Sequence, residues 1–268
     1  MKMSKEVVDK RRKEIMQIIQ TEKEVSVEQL VEKFKVNPLT IRRDLQYWED
    51  KGAVERFYGG AKLIQNYVDN NEKYNNEAYK HAIAKYAAQF IEDNDTVFIN
   101  TSSTALLVLN YIKAKNVTVI TNNGRAIFSN YGNNVTVVLT GGELRTPKEA
   151  MVGDFALNNI NKVKANKVFL GCSGFDIDTG MMTAILPEVS INEAMIRQGT
   201  GEIFLLADAT KIGAIHQFIV AKPTSFDYLI SDDRLEDEIY NEIINRGISA
   251  MRLAPYINFN ASHKHNIQ

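Results

Sequence analysis

Cysteine, tryptophan and histidine are scarce in this chain: among 268 residues there are one Cys, one Trp and four His. A lone thiol, Cys172, excludes an intrachain disulfide and points to a reducing compartment. It sits beside Gly171 after a strand-like run and reads as a buried structural thiol, not a nucleophile. His81, His216, His263 and His265 form no convincing metal set, the last two lying in the tail without a helix or strand pattern shared with carboxylates, so no metal is expected, and no cofactor. Long uncharged apolar runs are also missing, and charge is dense from Lys2 onward. That pattern argues against a secretion signal or membrane span and for a cytoplasmic location. Neither sign of charge dominates, because the formal net charge is −1. Any binding of nucleic acid must therefore come from where the charges sit. No internal repeat is visible.

What is present suits a globular chain of two domains, with 44% hydrophobic and 24% charged residues. Residues 1–60 hold 13 Lys+Arg against 11 Asp+Glu, and the remainder 19 against 22. The front of the chain is thus slightly basic and the rest slightly acidic.

Residues 1–64 read helix, helix, helix, ribbon. Val8, Ile15, Ile18 and Ile19 form the stripe of the first helix. Ser26 caps a short second helix with Leu30, Val31 and Phe34 inward, and Lys35-Val36 turns tightly into a third. Asn37 caps that third helix, and Pro38 fits its first turn, where the missing N–H has no intrahelical partner. Ile41, Leu45 and Trp48 make its inner stripe, leaving Thr40, Arg42, Arg43 and Tyr47 on or near the outer face. Adjacent arginines near a helix start suit phosphate clamping and bidentate reading of guanine. Asp44 reads as a structural partner for a nearby arginine. Ala53–Tyr58 alternates like a strand and Gly59-Gly60 supplies a turn, which makes a wing. The expected DNA-contacting set is Ser26, Asn37, Thr40, Arg42, Arg43, Tyr47, Arg56, Tyr58, Gly59 and Gly60, in a winged helix-turn-helix.

The Asn-rich stretch 65–76 reads as a linker. From 77 to 256, β-branched runs alternate with helical segments, and 257–268 reads as a tail. Strands are expected at 96–100, 117–121, 135–140, 167–171, 202–208, 227–231 and 248–253. Helices are expected around 79–91, 103–113, 188–198 and 235–246. That alternation implies an α/β domain with a doubly wound, mostly parallel sheet.

Ligands of such sheets bind at the carboxyl ends of strands. Several of these ends carry polar turns: Asn100-Thr101-Ser102-Ser103-Thr104, Thr121-Asn122, Gly141-Gly142-Glu143 with Arg145, and Asp208 with Lys211. Their hydroxyls, amides and cations suit a small anionic ligand such as a phosphorylated sugar. Asp176, Asp178 and Glu188 are further carboxylates to weigh for an isomerase-like role, the first two reading as solvated loop.

These residues resemble the DeoR family of bacterial transcription regulators over nearly the whole chain. The resemblance rests on Thr40-Ile41-Arg42-Arg43-Asp44-Leu45 with Gly59-Gly60-Ala61, and on the polar turns together with Val152-Gly153 and Phe169-Leu170-Gly171. It implies a repressor that binds operator DNA as a dimer or tetramer. It also implies control by a phosphorylated sugar, through a domain similar to ribose-phosphate isomerase. The chain departs from the family at three points. The usual DSGTTT loop has Asn100 for its acid and Ser102 for its glycine, a usual lysine is Asn192, and the wing's usual histidine is Tyr58. A phosphosugar isomerase or transferase with an accessory DNA-binding domain is the rival reading. The altered loop and the lack of an evident acid/base pair weigh against it, so no catalytic residue is assigned.

Overall fold

The structure is a computed structural model that describes residues 5–50, 53–63, 70–146 and 148–255. It divides into two compact units, Met1–Tyr74 and Asn75–Gln268. The expected helix end at Lys51-Gly52, linker residues 65–69 and the 257–268 tail lie outside the described residues.

The first unit contains helix α1 (Lys5–Glu22), strand β1 (Glu24–Ser26), helices α2 (Val27–Phe34) and α3 (Pro38–Asp50), and strands β2 (Val54–Phe57) and β3 (Gly60–Leu63). Ser26 accepts from Gln29 N at 3.1 Å while Ser26 N donates back to Gln29 Oε1 at 2.8 Å, a reciprocal cap that fixes where α2 begins. Lys35, at φ 51°, takes the left-handed conformation that closes α2 and turns the chain into α3. The three strands form an antiparallel sheet in the order β1-β3-β2. Ile15, Ile19, Leu30, Ile41, Leu45, Trp48 and Ala61 make the core that joins helices to sheet. Gly60 allows β1 and β3 to approach, because a Cβ there would lie 2.3 Å from Val25 O.

Helix α4 (Asn70–Ala87) begins in the last residues of the first unit and continues into the second, where strand β4 (Thr96–Ile99), helix α5 (Ser103–Leu106), and strands β5 (Val117–Thr121), β6 (Val135–Leu139), β7 (Glu143–Arg145) and β8 (Ala150–Val152) follow. Helix α6 (Asp154–Ile160), strands β9 (Lys167–Leu170), β10 (Gly174–Asp176) and β11 (Gly180–Thr183), and helix α7 (Pro187–Gln198) come next. The chain ends its described course with β12 (Ile203–Leu206), β13 (Phe218–Ala221), β14 (Tyr228–Asp232), α8 (Asp237–Asn245) and β15 (Ser249–Leu253). Seven strands form one sheet in the order β15-β14-β12-β9-β4-β5-β6, and every pairing in it is parallel. Strand order therefore reverses between β4 and β9, at the sheet's switch point. Alternate side chains supply two cores. Val97, Ile99, Phe169 and Phe204 face α4 and α5, while Phe98, Leu170, Leu205 and Leu229 face α6, α7 and α8. Phe169, Phe204 and Tyr228 stack at 4.7 Å centroid spacing across three neighbouring strands.

Some expectations change. Residues 70–76, expected as linker, are helical and begin α4. Helix formation is cooperative, and the packed stripe of Ile83, Ala84 and Ala87 extends order backward through polar residues. The expected 103–113 helix is one short α-helix followed by a tighter 3-10 stretch, Leu107–Tyr111. A three-stranded antiparallel sheet, β10-β11-β13, and the β7-β8 hairpin are additions that short strands without clear alternation did not announce.

Candidate nucleic-acid interface and ligand crevice

Asn37 begins the candidate reading helix: its Oδ1 accepts from Thr40 N at 2.8 Å and from Thr40 Oγ1 at 2.9 Å. The inward face of α3 carries a buried charge as well as apolar groups. Asp44 accepts from Arg11 Nε at 2.6 Å and from Arg12 Nε at 3.0 Å, and Trp48 Nε1 donates to Arg12 O at 3.0 Å. One carboxylate thus pins the helix against α1. Arg42 and Arg43 face the other way, are exposed, and have no ion-pair partner among the described residues. Of the unit's five arginines, Arg11 and Arg12 hold it together from α1, Arg56 turns to α3, and Arg42 and Arg43 have no ion-pair partner among the described residues.

Other expected contacts are more committed. Tyr47 is half-buried, with the Arg12 guanidinium 4.1 Å above its ring, so it is not a bare outer-face residue. Arg56 is turned toward α3, bonding Gln46 and pairing with Glu49 at 3.5 Å, which braces the wing to the helix it flanks. Ser26 is engaged in its cap. Gly59, at φ 97°, makes the turn, and Tyr58 stands fully exposed at the wing tip. A groove of about 690 Å³ runs between α2, α3 and the wing. Arg42 and Arg56 line one side and Glu28 and Glu32 the other, so an anionic strand is attracted to the α3–wing side and repelled from α2.

In the second unit, the loops after β4 and β9 meet at the switch point. Asn100, just past β4, is buried and ties three segments together. Its Nδ2 donates to Gly171 O at 2.8 Å and to Asn192 Oδ1 at 2.9 Å. Its Oδ1 accepts from Gly171 N at 3.0 Å and Ser102 N at 3.1 Å. Gly171 must be small, because a Cβ would lie 1.9 Å from Ser102 Oγ. Above this tie lies Glu188, in the first turn of α7 and 5% exposed. It accepts from Thr183 Oγ1 at 2.7 Å, from Thr101 Oγ1 at 3.3 Å and from Lys148 Nζ at 3.4 Å. Two hydroxyls and one long ammonium contact are its partners among the described residues. Lys148 and Thr183 carried no sequence signal; Glu188 was legible only as one acidic residue before a helix.

Other expected ligand residues scatter. Ser102 caps α5 through Thr104 N and Ala105 N; Ser103 is exposed and Thr104 buried within that turn. Thr121 is buried and accepts from Asn123 N. Asn122 Nδ2 donates to Met151 O at 3.1 Å, and its buried Oδ1 has no partner among the described residues. Gly141 and Gly142, at φ 68° and 109°, are demanded by the turn into β7. Glu143 and Arg145 are exposed on the outer strand of the hairpin and pair with each other at 3.1 Å. They are thus not gathered at Asn100, because a strand that short and outward-facing directs both side chains to solvent. Asp208 lies two residues past β12 and accepts from Thr210 N at 3.1 Å. Lys211 is half-buried beside it, and its charge works against burial, which pushes the Cys172 thiol up to about 12. Asp176 closes its own loop through Asp178 N and Thr179 N, and Asp178 pairs with Arg246.

A capped helix with outward guanidinia beside a braced wing, on one chain with a parallel α/β unit, is the make-up of a DNA-binding transcription regulator. Comparison with known proteins gives the narrower assignment. Residues 11–67 match the DeoR-like helix-turn-helix domain and residues 75–233 the DeoR C terminal sensor domain. The chain belongs to the DeoR family. It is 30% identical over 235 residues to the HTH-type transcriptional regulator IolR of Bacillus subtilis (strain 168), covering 86% of this chain and 93% of that one. It is 28% identical to the regulator GolR of Listeria innocua, over 89% of this chain and 96% of the other. The lactose phosphotransferase system repressor of Staphylococcus aureus (strain NCTC 8325 / PS 47) is 30% identical, over 75% of this chain and 82% of its own length. Among solved structures, ribose 5-phosphate isomerase A of Methanocaldococcus jannaschii aligns at TM-score 0.37 and 15% identity, over 52% of this chain and 55% of that one.

Proposed function

We propose that this regulator is a cytoplasmic repressor of a sugar-utilisation operon, acting as two or more copies and controlled by a phosphorylated sugar. The observation that carries the reading is the pair of exposed guanidinia, Arg42 and Arg43, on the outward face of α3, with no ion-pair partner among the described residues. With Thr40 they face bases and phosphates in a major groove, and Tyr58 reaches the backbone from the wing. Paired half-sites call for paired copies. The name of the lactose phosphotransferase system repressor fits control by a sugar pathway.

The effector takes the crevice beside Asn100. Glu188 and the free Asn122 Oδ1 accept from sugar hydroxyls, while Thr101, Lys148 and Lys211 supply donors and positive charge for a phosphate. Such a ligand controls DNA binding only by favouring one arrangement of the protein over another. The test titrates full-length protein against its own promoter fragment and a scrambled duplex at physiological salt, with a panel of phosphorylated sugars and their dephosphorylated counterparts. A preference for the promoter, changed by one phosphosugar and not by the parent sugar, is expected. Equal affinity for both duplexes rejects the operator reading, and an effect of parent sugars alone rejects the phosphate.

A further inference from the structure

Among the described residues, seven of the fifteen exposed large apolar side chains lie between residues 127 and 155, which is where an interface should be sought. Ile127, Phe128, Val138, Leu139, Leu144 and Phe155 surround the open edge of the seven-stranded sheet, Phe128 being 84% and Phe155 80% exposed. They belong to one surface: Leu144 lies against the turn at Gly124, and Asn159 Nδ2 of α6 donates to Thr140 O at 2.9 Å, directly after β6.

That edge is unguarded. Strand β6, Val135-Thr136-Val137-Val138-Leu139, has no charge, proline or bulge to discourage pairing. At the opposite edge, β15 carries Arg252, held by Asp237 at 2.6 Å. The hydrogen-bonding parity of β6 is fixed by its ends, where Asn134 O accepts from Val117 N and Thr140 N donates to Thr121 O. In a parallel ladder both groups of a residue face the same neighbour, so the even-numbered residues serve β5. Val137 and Leu139 then direct N–H and C=O outward.

We propose that this edge and its apolar surround are the face through which two copies of the chain join, β6 against β6 about a two-fold axis. The proposal rests on the two-copy part of the functional reading and names its surface. Charge favours an identical partner: from 124 to 155 the ionic groups are Arg125, Arg145 and Lys148 against Glu143, Glu149 and Asp154, a net of zero. Two such faces do not repel, whereas a strongly charged partner finds nothing to match. Antiparallel pairing of the two strands satisfies the outward groups of Val137 and Leu139 on both copies and removes both free edges.

The experiment measures the mass of full-length protein in solution by light scattering, with hydrogen exchange of segment 135–140 as a second readout. Wild type should have the mass of two chains or a multiple, with slow exchange in that segment. Val138→Lys and Phe155→Lys, both at exposed positions, should each halve the mass and speed exchange there while leaving the melting temperature of the sensor unit unchanged. Ile215→Lys, at another exposed apolar site, should change nothing. A wild-type mass of one chain overturns both the two-copy reading and this face. An assembly that survives both lysine variants, or that Ile215→Lys dissociates, overturns this face and leaves the two-copy reading standing.

Discussion

Asp44 is nearly sealed from solvent, yet its charge is balanced by two guanidinium groups from another helix. Removing one partner of such a buried set strands the others, at a cost of about 3–5 kcal/mol. Asp44→Ala should therefore lower the thermal midpoint sharply and weaken DNA binding through loss of fold, which circular dichroism against temperature will show. Asp232 offers a test of sign. Burial is the largest single influence and raises its carboxyl, but hydrogen bonds from Arg234 and Ala209 N outweigh it and hold the group below the ordinary carboxylate range. A depressed acid stabilises the fold above its unfolded value of about 3.9 and loses that contribution as pH falls through the folded value. The stability gap between wild type and Asp232→Asn, from denaturant midpoints, should be full at neutral pH and shrink below about pH 4. A gap that widens in acid would contradict the direction. At this scale the sequence was uneven. Asp44 could be read as an arginine's partner from its position inside a basic helix. Lys148 could not be tied to Glu188, because its approach depends on a hairpin distant along the chain, and Thr183, though close in sequence, ends a strand too short to be legible.

Among elements, α3 and the wing are the pair to separate by mutation. Arg43→Ala should weaken operator binding by roughly 1–3 kcal/mol and relax preference at one base pair if it reads a base edge. Arg42→Ala, if it holds phosphate, should weaken all duplexes alike and reduce the slope of log affinity against log salt by about 0.9. Gel-shift titrations over a salt series distinguish the two, and unchanged affinity for either variant removes that residue from the interface. Gly60→Ala forces a methyl toward Val25 O and the Phe57 ring, and such overpacking costs about 1–3 kcal/mol. Chemical denaturation of the variant should show that loss, with β1 and β3 no longer able to meet. The helix-turn-helix and the seven parallel strands were legible because caps, β-branched runs and glycines sit where backbone geometry requires them. Strands β7, β8, β10, β11 and β13 were not, since each has three or four residues and none alternates cleanly over a length that sequence can resolve. Asn-rich composition likewise concealed the start of α4, because composition records solvent contact and not hydrogen bonding.

For the whole molecule, two units with separate cores share one chain, and nothing in either composition alone announces the pairing of DNA reader with sensor. Their motifs do, at the reader through local spacing and at the sensor through the ends of strands brought level by parallel pairing. The sensor's residues were the harder to read for that reason: Asn100, Gly171 and Asn192 meet only after the sheet has formed. One feature of the reader gives the molecule an optical asymmetry. Trp48, the sole indole in the chain, is enclosed in the core under α3 with its N–H on a backbone oxygen of α1. Light absorbed at the red edge of the aromatic band is therefore emitted from the DNA-reading end alone, and the twelve phenylalanines and eleven tyrosines stay dark. A metabolite that docks on the sensor and alters this emission is reporting, without any attached label, that its arrival has been felt at the other end of the chain.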